Sequence, residues 1–141
     1  MAILFTSSDV KIPPIKRSTT KKWIALVAEK YGKRVGEVSY LFCSDEEILK
    51  ANNQFLGHDF YTDIITFDNS ENDLIAGDIM ISTDTVKSNS EKFDTQFIDE
   101  VYRVIIHGIL HLCGLKDKTA AEQKAMREAE NNAISMLMTM L

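Results

Sequence analysis

The chain contains few of the residues that build disulfide-rich or membrane-bound proteins. Its 141 residues include two cysteines, two prolines and one tryptophan. Cys43 and Cys113 are too few for a disulfide framework, and we expect reduced thiols. No apolar run approaches the ~20 residues that span a bilayer, and residues 1–9 lack the basic start of a secretory signal. These features predict a cytoplasmic protein without a membrane segment.

Positive charge is also scarce, but it is unevenly distributed along the chain. The whole chain has 16 Lys and Arg against 21 Asp and Glu, a formal net charge of −5. Residues 1–40 hold eight basic and three acidic residues (8 − 3 = +5), so the remainder carries −10. This asymmetry permits a basic patch for nucleic acid on an acidic protein. A solvated basic helix is the commoner explanation of such a pattern.

Composition and periodicity predict one α+β domain over residues 1–141, a small four-stranded sheet packed with about five helices. Alternating β-prone runs predict strands at residues 2–6, 35–43, 62–67 and 74–82, the last two paired as a hairpin. Apolar residues at helical spacing predict helices at residues 18–31, 44–57, 83–93, 94–113 and from 119 onwards. Residues 18–20, Ser44 and Thr119 are candidate helix caps.

Two of the three histidines lie on the predicted helix 94–113. His107 and His111 are four residues apart, which places both imidazoles on one helix face. Gly114 ends this helix, and the turn after it can bring Asp117 back to the same face. Two histidines and a carboxylate leave one coordination position open, as in catalytic zinc sites. The alternative is a pair of core histidines that are satisfied by hydrogen bonds.

The same stretch argues against a zinc protease. The H-E-x-x-H motif of these enzymes needs a glutamate after the first histidine as general base. The corresponding residue is Gly108. Peptide hydrolysis by that route therefore lacks its base.

Three motifs resemble those of the YbeY endoribonucleases. H-G-I-L-H-L-C-G-L-K-D at residues 107–117 resembles the family signature H-G-x-L-H-L-x-G-Y-D-H. T-D-I-I-T-F at residues 62–67 is similar to T-D-V-L-S-F, and G-D-I-M-I-S at residues 77–82 is similar to G-D-I-x-I-S. Order and spacing agree, so the resemblance covers nearly the whole chain.

The resemblance implies a zincin-like arrangement, with the metal site at the end of a central helix. It also implies a cytoplasmic, metal-dependent, single-strand-specific endoribonuclease, with zinc as the expected metal. The expected role is maturation of the 3′ end of 16S rRNA and ribosome quality control. The expected partners are single-stranded ribosomal RNA and the small ribosomal subunit, with no DNA and no membrane.

The chain departs from the family signature at several positions. The third histidine is replaced by Asp117, and the resulting two-histidine, one-carboxylate set also suits iron(II) or another divalent transition metal. The tyrosine and aspartate before this ligand are Leu115 and Lys116. The family arginine upstream of T-D-V-L-S-F falls on Leu56, which cannot stabilise phosphoryl charge.

Other side chains are candidates for the missing functions. Arg103 lies one turn before the first ligand and is predicted to contact the scissile phosphate; the alternative is an arginine paired near Asp99. His58 is a candidate substrate contact or an ordinary loop histidine. Asp63 and Asp78 are predicted to orient a ligand histidine, or else to cap strand ends.

The sequence therefore predicts metal-assisted phosphodiester hydrolysis, with basic side chains holding the RNA backbone. Two alternatives remain open at this point. One is a non-enzymatic ribosome-assembly or RNA-binding factor with a structural metal, which the leucine at position 56 favours. The other is a metal-dependent hydrolase of another substrate.

Overall fold

The computed structural model describes residues 1–57 and 62–141. Within these ranges the elements are β1 (Ala2–Ser7), α1 (Arg17–Lys30), β2 (Arg34–Cys43), α2 (Asp45–Leu56), β3 (Ile64–Asp68), β4 (Leu74–Ser82), α3 (Thr83–Lys92), α4 (Phe97–Leu112) and α5 (Ala120–Met140). The described residues thus contain four strands and five helices, and the predicted α+β class is confirmed. None of the described helices is both long enough and apolar enough to cross a bilayer.

The strands form one sheet in the order β1-β2-β4-β3. The pairs β1–β2 and β2–β4 are parallel, whereas β3 and β4 are antiparallel. The predicted hairpin is therefore confirmed, with Ile64 opposite Ile81 and Asp68 opposite Gly77. This arrangement makes β3 an edge strand of the sheet.

The two faces of β3 and β4 are covered by different helices because successive side chains of a strand point to opposite sides. Ile64 and Ile79 face α4, where both approach Gly108. Ile65 points the other way and packs with Ile48 and Ala51 of α2. The sheet consequently separates a large core around α4 from a small core under α2.

Helix α4 is the central element of the large core. Its residues Val101, Ile105 and Ile109 are fully buried. The Tyr40 hydroxyl of β2 donates a hydrogen bond of 2.9 Å to the Ile105 carbonyl. The helix that carries both histidines is therefore fixed on all sides before its last turns reach the surface.

The helix ends agree with the sequence at two of three predicted caps. The Ser44 side chain accepts a hydrogen bond from the Glu47 N–H at the start of α2. At the start of α5, Thr119 and Glu122 form a capping box. The prediction of a cap within residues 18–20 is wrong: α1 is preceded by Lys16, which makes no side-chain cap. The Lys16 N–H instead donates to the Tyr102 hydroxyl at 2.9 Å. A tertiary contact thus satisfies the start of this helix.

Gly77 permits a close approach of β4 to β3 and α4. A Cβ at this position would lie 2.3 Å from the Phe67 carbonyl oxygen and 3.3 Å from Leu112 Cδ2. We expect Gly77→Ala to lower the free energy of unfolding by roughly 1–3 kcal/mol, because a rigid backbone atom must move. Urea denaturation measures this loss.

Gly108→Ala is the matched control for that substitution. A Cβ at Gly108 meets only the methyl ends of Ile79 and Ile64, at 2.9 and 3.2 Å. Alanine also gains about 1 kcal/mol of helix propensity over glycine, so the net cost is smaller. We therefore expect Gly77→Ala to be less stable than Gly108→Ala. Equal stability of the two variants, or a more stable Gly77→Ala, would contradict the explanation based on backbone contact.

Candidate metal centre

The metal centre is built by the last turns of α4 and the loop that follows. The His107 and His111 rings lie with centroids 4.5 Å apart and planes at 83°. Gly114 adopts a φ of +104°, a left-handed conformation that reverses the chain. The loop is then tied back by a 3.0 Å hydrogen bond from the Leu115 N–H to the Leu110 carbonyl.

The loop brings Asp117 onto the histidine pair. Asp117 Oδ2 lies 3.3 Å from Nε2 of His107 and 3.3 Å from Nε2 of His111. All three ligand atoms lie within 4.8 Å of one another. The three residues chosen from their spacing are therefore brought together by the fold.

Hydrogen bonds to the other ring nitrogens fix both histidine tautomers. His107 Nδ1 lies 2.7 Å from Glu130 Oε2, and His111 Nδ1 lies 3.0 Å from the Leu115 carbonyl. An ionised carboxylate and a carbonyl only accept hydrogen bonds, so both Nδ1 atoms must donate. In the neutral rings each Nε2 then presents a lone pair towards Asp117.

This donor set fits a divalent metal ion. Lone pairs of two imidazoles and an oxygen of a carboxylate converge, which is unfavourable unless a proton or a cation lies between them. Four-coordinate zinc with bonds of about 2.0–2.1 Å requires neighbouring ligand atoms roughly 3.3–3.4 Å apart. The separations of 3.3 Å between Asp117 and each histidine match that spacing.

Glu130 of α5 holds the first histidine in place, and the sequence analysis missed it. Its side chain is 8% exposed, and its Oε1 accepts a 3.0 Å hydrogen bond from Arg103 Nη1. Arg127 approaches the same oxygen at 3.7 Å. Its position between the buried Met126 and Ala133 could have revealed it, because a carboxylate on an apolar helix face needs partners.

The charges around His107 shift the pKa values in opposite directions. Burial lowers the pKa of His107, but the hydrogen bond and charge of Glu130, with Asp117 and Asp63, raise it above its ordinary value. Burial raises the pKa of Glu130, but the hydrogen bonds from His107 and Arg103 outweigh burial and lower it. The metal-free pair is therefore stabilised as an imidazolium and a carboxylate.

The three candidate ligands line an open cleft of about 600 Å³. The opposite wall is the β3 side of the sheet, with Thr62, Asp63, Ile64, Thr66 and Asp68. Burial raises the pKa of the Asp63 carboxyl, while the nearby His107 opposes that shift. Asp63 thus faces the cleft beside a ligand histidine, and its proposed orienting role stays a prediction.

The predicted role of Asp78 is wrong. Its neighbours Gly77 and Ile79 face α4, so strand alternation points Asp78 to the other side of the sheet. There it is exposed and lines a separate groove that contains none of the three ligands. The carboxylate that contacts the Nδ1 atom of a ligand histidine, His107, is that of Glu130.

The other candidates have different outcomes. Arg103 pairs with Glu130 rather than near Asp99, and its side chain is 19% exposed. It lines a cavity of about 180 Å³ that also reaches His107, so phosphate contact stays a prediction. His58 lies outside the described residues. Leu56, at the position of the family arginine, is 46% exposed at the end of α2.

Comparison with known proteins identifies the family. The family model described as Endoribonuclease YbeY matches residues 3–138. The chain belongs to the YbeY family. The resemblance in the three sequence motifs is therefore confirmed over nearly the entire chain.

Individual YbeY proteins match at full length. A Bacteroides thetaiotaomicron protein named Endoribonuclease YbeY is 54% identical over 136 residues, covering 96% of this chain and 99% of that protein. One of the same name from Porphyromonas gingivalis is 58% identical over 135 residues, covering 96% of this chain and 89% of that protein. The solution structure of TM1509 from Thermotoga maritima has a TM-score of 0.67 and 28% identity, covering 95% of this chain and 88% of that one.

Glu130→Gln tests the hydrogen bond that orients His107. We expect metal affinity to fall roughly 10- to 100-fold, because a neutral amide accepts more weakly from Nδ1 and no longer favours one tautomer. Competition with a chromogenic chelator measures the affinity. Glu128→Gln, at an exposed position on the same helix, is the matched control. Equal affinity for both variants would rule out this role of Glu130.

Proposed function

We propose that this chain is a metal-dependent endoribonuclease that hydrolyses single-stranded RNA, acting on the 3′ end of 16S rRNA and in ribosome quality control. Membership of the YbeY endoribonuclease family supports cleavage of RNA phosphodiester bonds. The observation that carries the proposal is the three-ligand cluster of His107, His111 and Asp117, which lines an open cleft.

The proposed metal is zinc, held by those three residues. When bound, the ion supplies Lewis-acid chemistry to water and to a phosphoryl oxygen. The spacing of 3.3 Å between Asp117 and each histidine is compatible with four-coordinate zinc. The chain's own contribution is orientation: Glu130 and the Leu115 carbonyl hold the two rings, and Gly114 places the carboxylate.

The remaining parts of the proposal concern the cell. We propose that residues 1–141 act as one metallohydrolase domain, in the cytoplasm, with the small ribosomal subunit as partner. Cys43 and Cys113 are free thiols in the structure, which accords with a reducing compartment. Burial raises the pKa of Cys43 to about 12 and of Cys113 to about 11, so both thiols stay protonated and unreactive.

Peptide hydrolysis by a glutamate next to the first histidine is excluded by packing as well as by sequence. Gly108 faces the sheet, and even a Cβ there would come within 2.9 Å of Ile79. A longer side chain at this position would enter the core and could not reach the cleft. The known zinc-protease arrangement therefore has no place for its base here.

Metal removal distinguishes a catalytic ion from a structural one. We expect chelation to abolish cleavage of a fluorescent single-stranded RNA while the far-ultraviolet circular dichroism at 25 °C stays unchanged, because α4 is held by the core. Added Zn²⁺ should restore turnover, and His111→Ala should abolish it. A protein that unfolds on chelation, or His111→Ala cleaving at the wild-type rate, would support the structural alternative.

Arg103 is tested by separating metal binding from turnover. If its guanidinium contacts the scissile phosphate, Arg103→Ala keeps its metal and loses roughly 100-fold or more in kcat/KM. If it only braces Glu130 through their 3.0 Å contact, the variant loses metal affinity instead. Metal content and cleavage of single-stranded RNA are measured on the same preparation. Lys124→Ala, an exposed basic residue of α5, is the control.

A further inference from the structure

A second groove lies on the face of the sheet opposite the metal centre. Its volume is about 560 Å³, and its floor is formed by side chains of β2, β3 and β4. In register, Ser39, Asp78 and Phe67 form one row across the sheet, and Leu41 and Met80 belong to the next. Side chains in such rows are direct neighbours on one face.

An exposed aromatic side chain forms the wall of this groove. Phe55 of α2 contacts Phe67 edge to face, with ring centroids 5.8 Å apart and an interplanar angle of 82°. Phe55 is nevertheless 63% exposed. No other aromatic residue in the described part of the chain is as exposed. An aromatic ring with this much exposed surface is suited to stacking against a flat ligand.

Polar groups converge on the same apolar floor. The Asp78 carboxylate makes no hydrogen bond or ion pair with any described residue, although it stands beside Phe67. Asn69 and Ser39 add an amide and a hydroxyl to the lining. An apolar surface with a few placed donors and acceptors is characteristic of small-molecule sites. A nucleobase has this chemistry, because its faces are apolar and its edge carries N–H donors and acceptors.

The groove and the metal cleft lie on either side of β3. Thr66 and Asp68 line the cleft, whereas Phe67 between them lines the groove. Because β3 is an edge strand, no described strand blocks the path around it. A ligand that reaches both cavities must extend around this edge, as a single-stranded polymer does and a small substrate does not.

We propose that the groove of Phe55, Phe67 and Asp78 binds a nucleobase of the single-stranded RNA whose phosphate lies at the metal centre, so that it sets substrate affinity and base preference. This proposal rests on the proposed ribonuclease function for the identity of the ligand. The base stacks on Phe55, and Asp78 accepts a hydrogen bond from its N–H edge. An apolar protein partner fits less well, because it would bury the Asp78 carboxylate without a hydrogen-bond donor.

Nucleoside binding to the metal-loaded protein tests the groove without using cleavage. Phe55→Trp places a fluorophore in the wall, while the native Trp23 is fully buried and constant. We expect adenosine, guanosine, cytidine and uridine to quench the new fluorescence with saturation, and ribose to leave it unchanged. Asp78→Asn in this background should change the order of preference among the four nucleosides, because an acceptor becomes partly a donor.

Met138→Trp is the matched control for the fluorophore. Met138 is an exposed apolar residue of α5, 49% exposed and away from both cavities of β3. We expect only linear, collisional quenching there. Saturation by ribose, equal behaviour of the two tryptophan variants, or no saturation by any nucleoside would overturn the proposal.

Cleavage kinetics provide the second arm. Phe55→Ala should raise KM for single-stranded RNA by roughly 5- to 150-fold, the range for losing one base–aromatic stack, and leave the metal content unchanged. Met138→Ala should keep the wild-type KM. A wild-type KM for Phe55→Ala would overturn the proposal. A change in sedimentation of Phe55→Ala from a dimer to a monomer would also overturn it, because the groove would then be a contact between two copies. If the wild type cleaves no RNA, the proposed function fails, and the nucleoside titration still decides whether the groove binds bases.

Discussion

The hydrogen bond from His107 to Glu130 ties the candidate metal centre to the core. It joins α4, which carries the ligands, to α5, which packs on the same core. One carboxylate thereby serves three groups: it orients the imidazole, balances the Arg103 guanidinium and attracts Arg127. A buried charge is tolerated here because each of its oxygens has a cationic or N–H partner. The position of the first ligand is thus set by tertiary packing as much as by the helix itself.

The sequence was sufficient for the part of the site that depends on local geometry. The four-residue spacing of the histidines and the left-handed turn at Gly114 act over one or two helical turns, so pattern reasoning located His107, His111 and Asp117 together. The capped elements were likewise well predicted: both ends of α2 and the start of α5 lie within one residue of the predicted positions.

Features that depend on contacts between distant segments could not be predicted from local sequence patterns. Glu130 is distant in sequence from the histidine that it holds, and only the packing of α5 on α4 brings them together. The error on Asp78 has a similar origin: nothing local shows which face of β4 meets α4. The unexpected start of α1 also reflects a tertiary partner, the Tyr102 hydroxyl, which replaces a side-chain cap.

The burial of α4 has a consequence for how the protein acquires its ion. Because the ligand helix belongs to the large core, the empty cluster needs no ordering of the backbone before it can accept a cation. Little conformational entropy is lost on loading, in contrast to small zinc-dependent folds that are disordered until the ion arrives. We therefore expect polypeptide folding and metal loading to be separate events, with the folded chain as the species that takes up the ion.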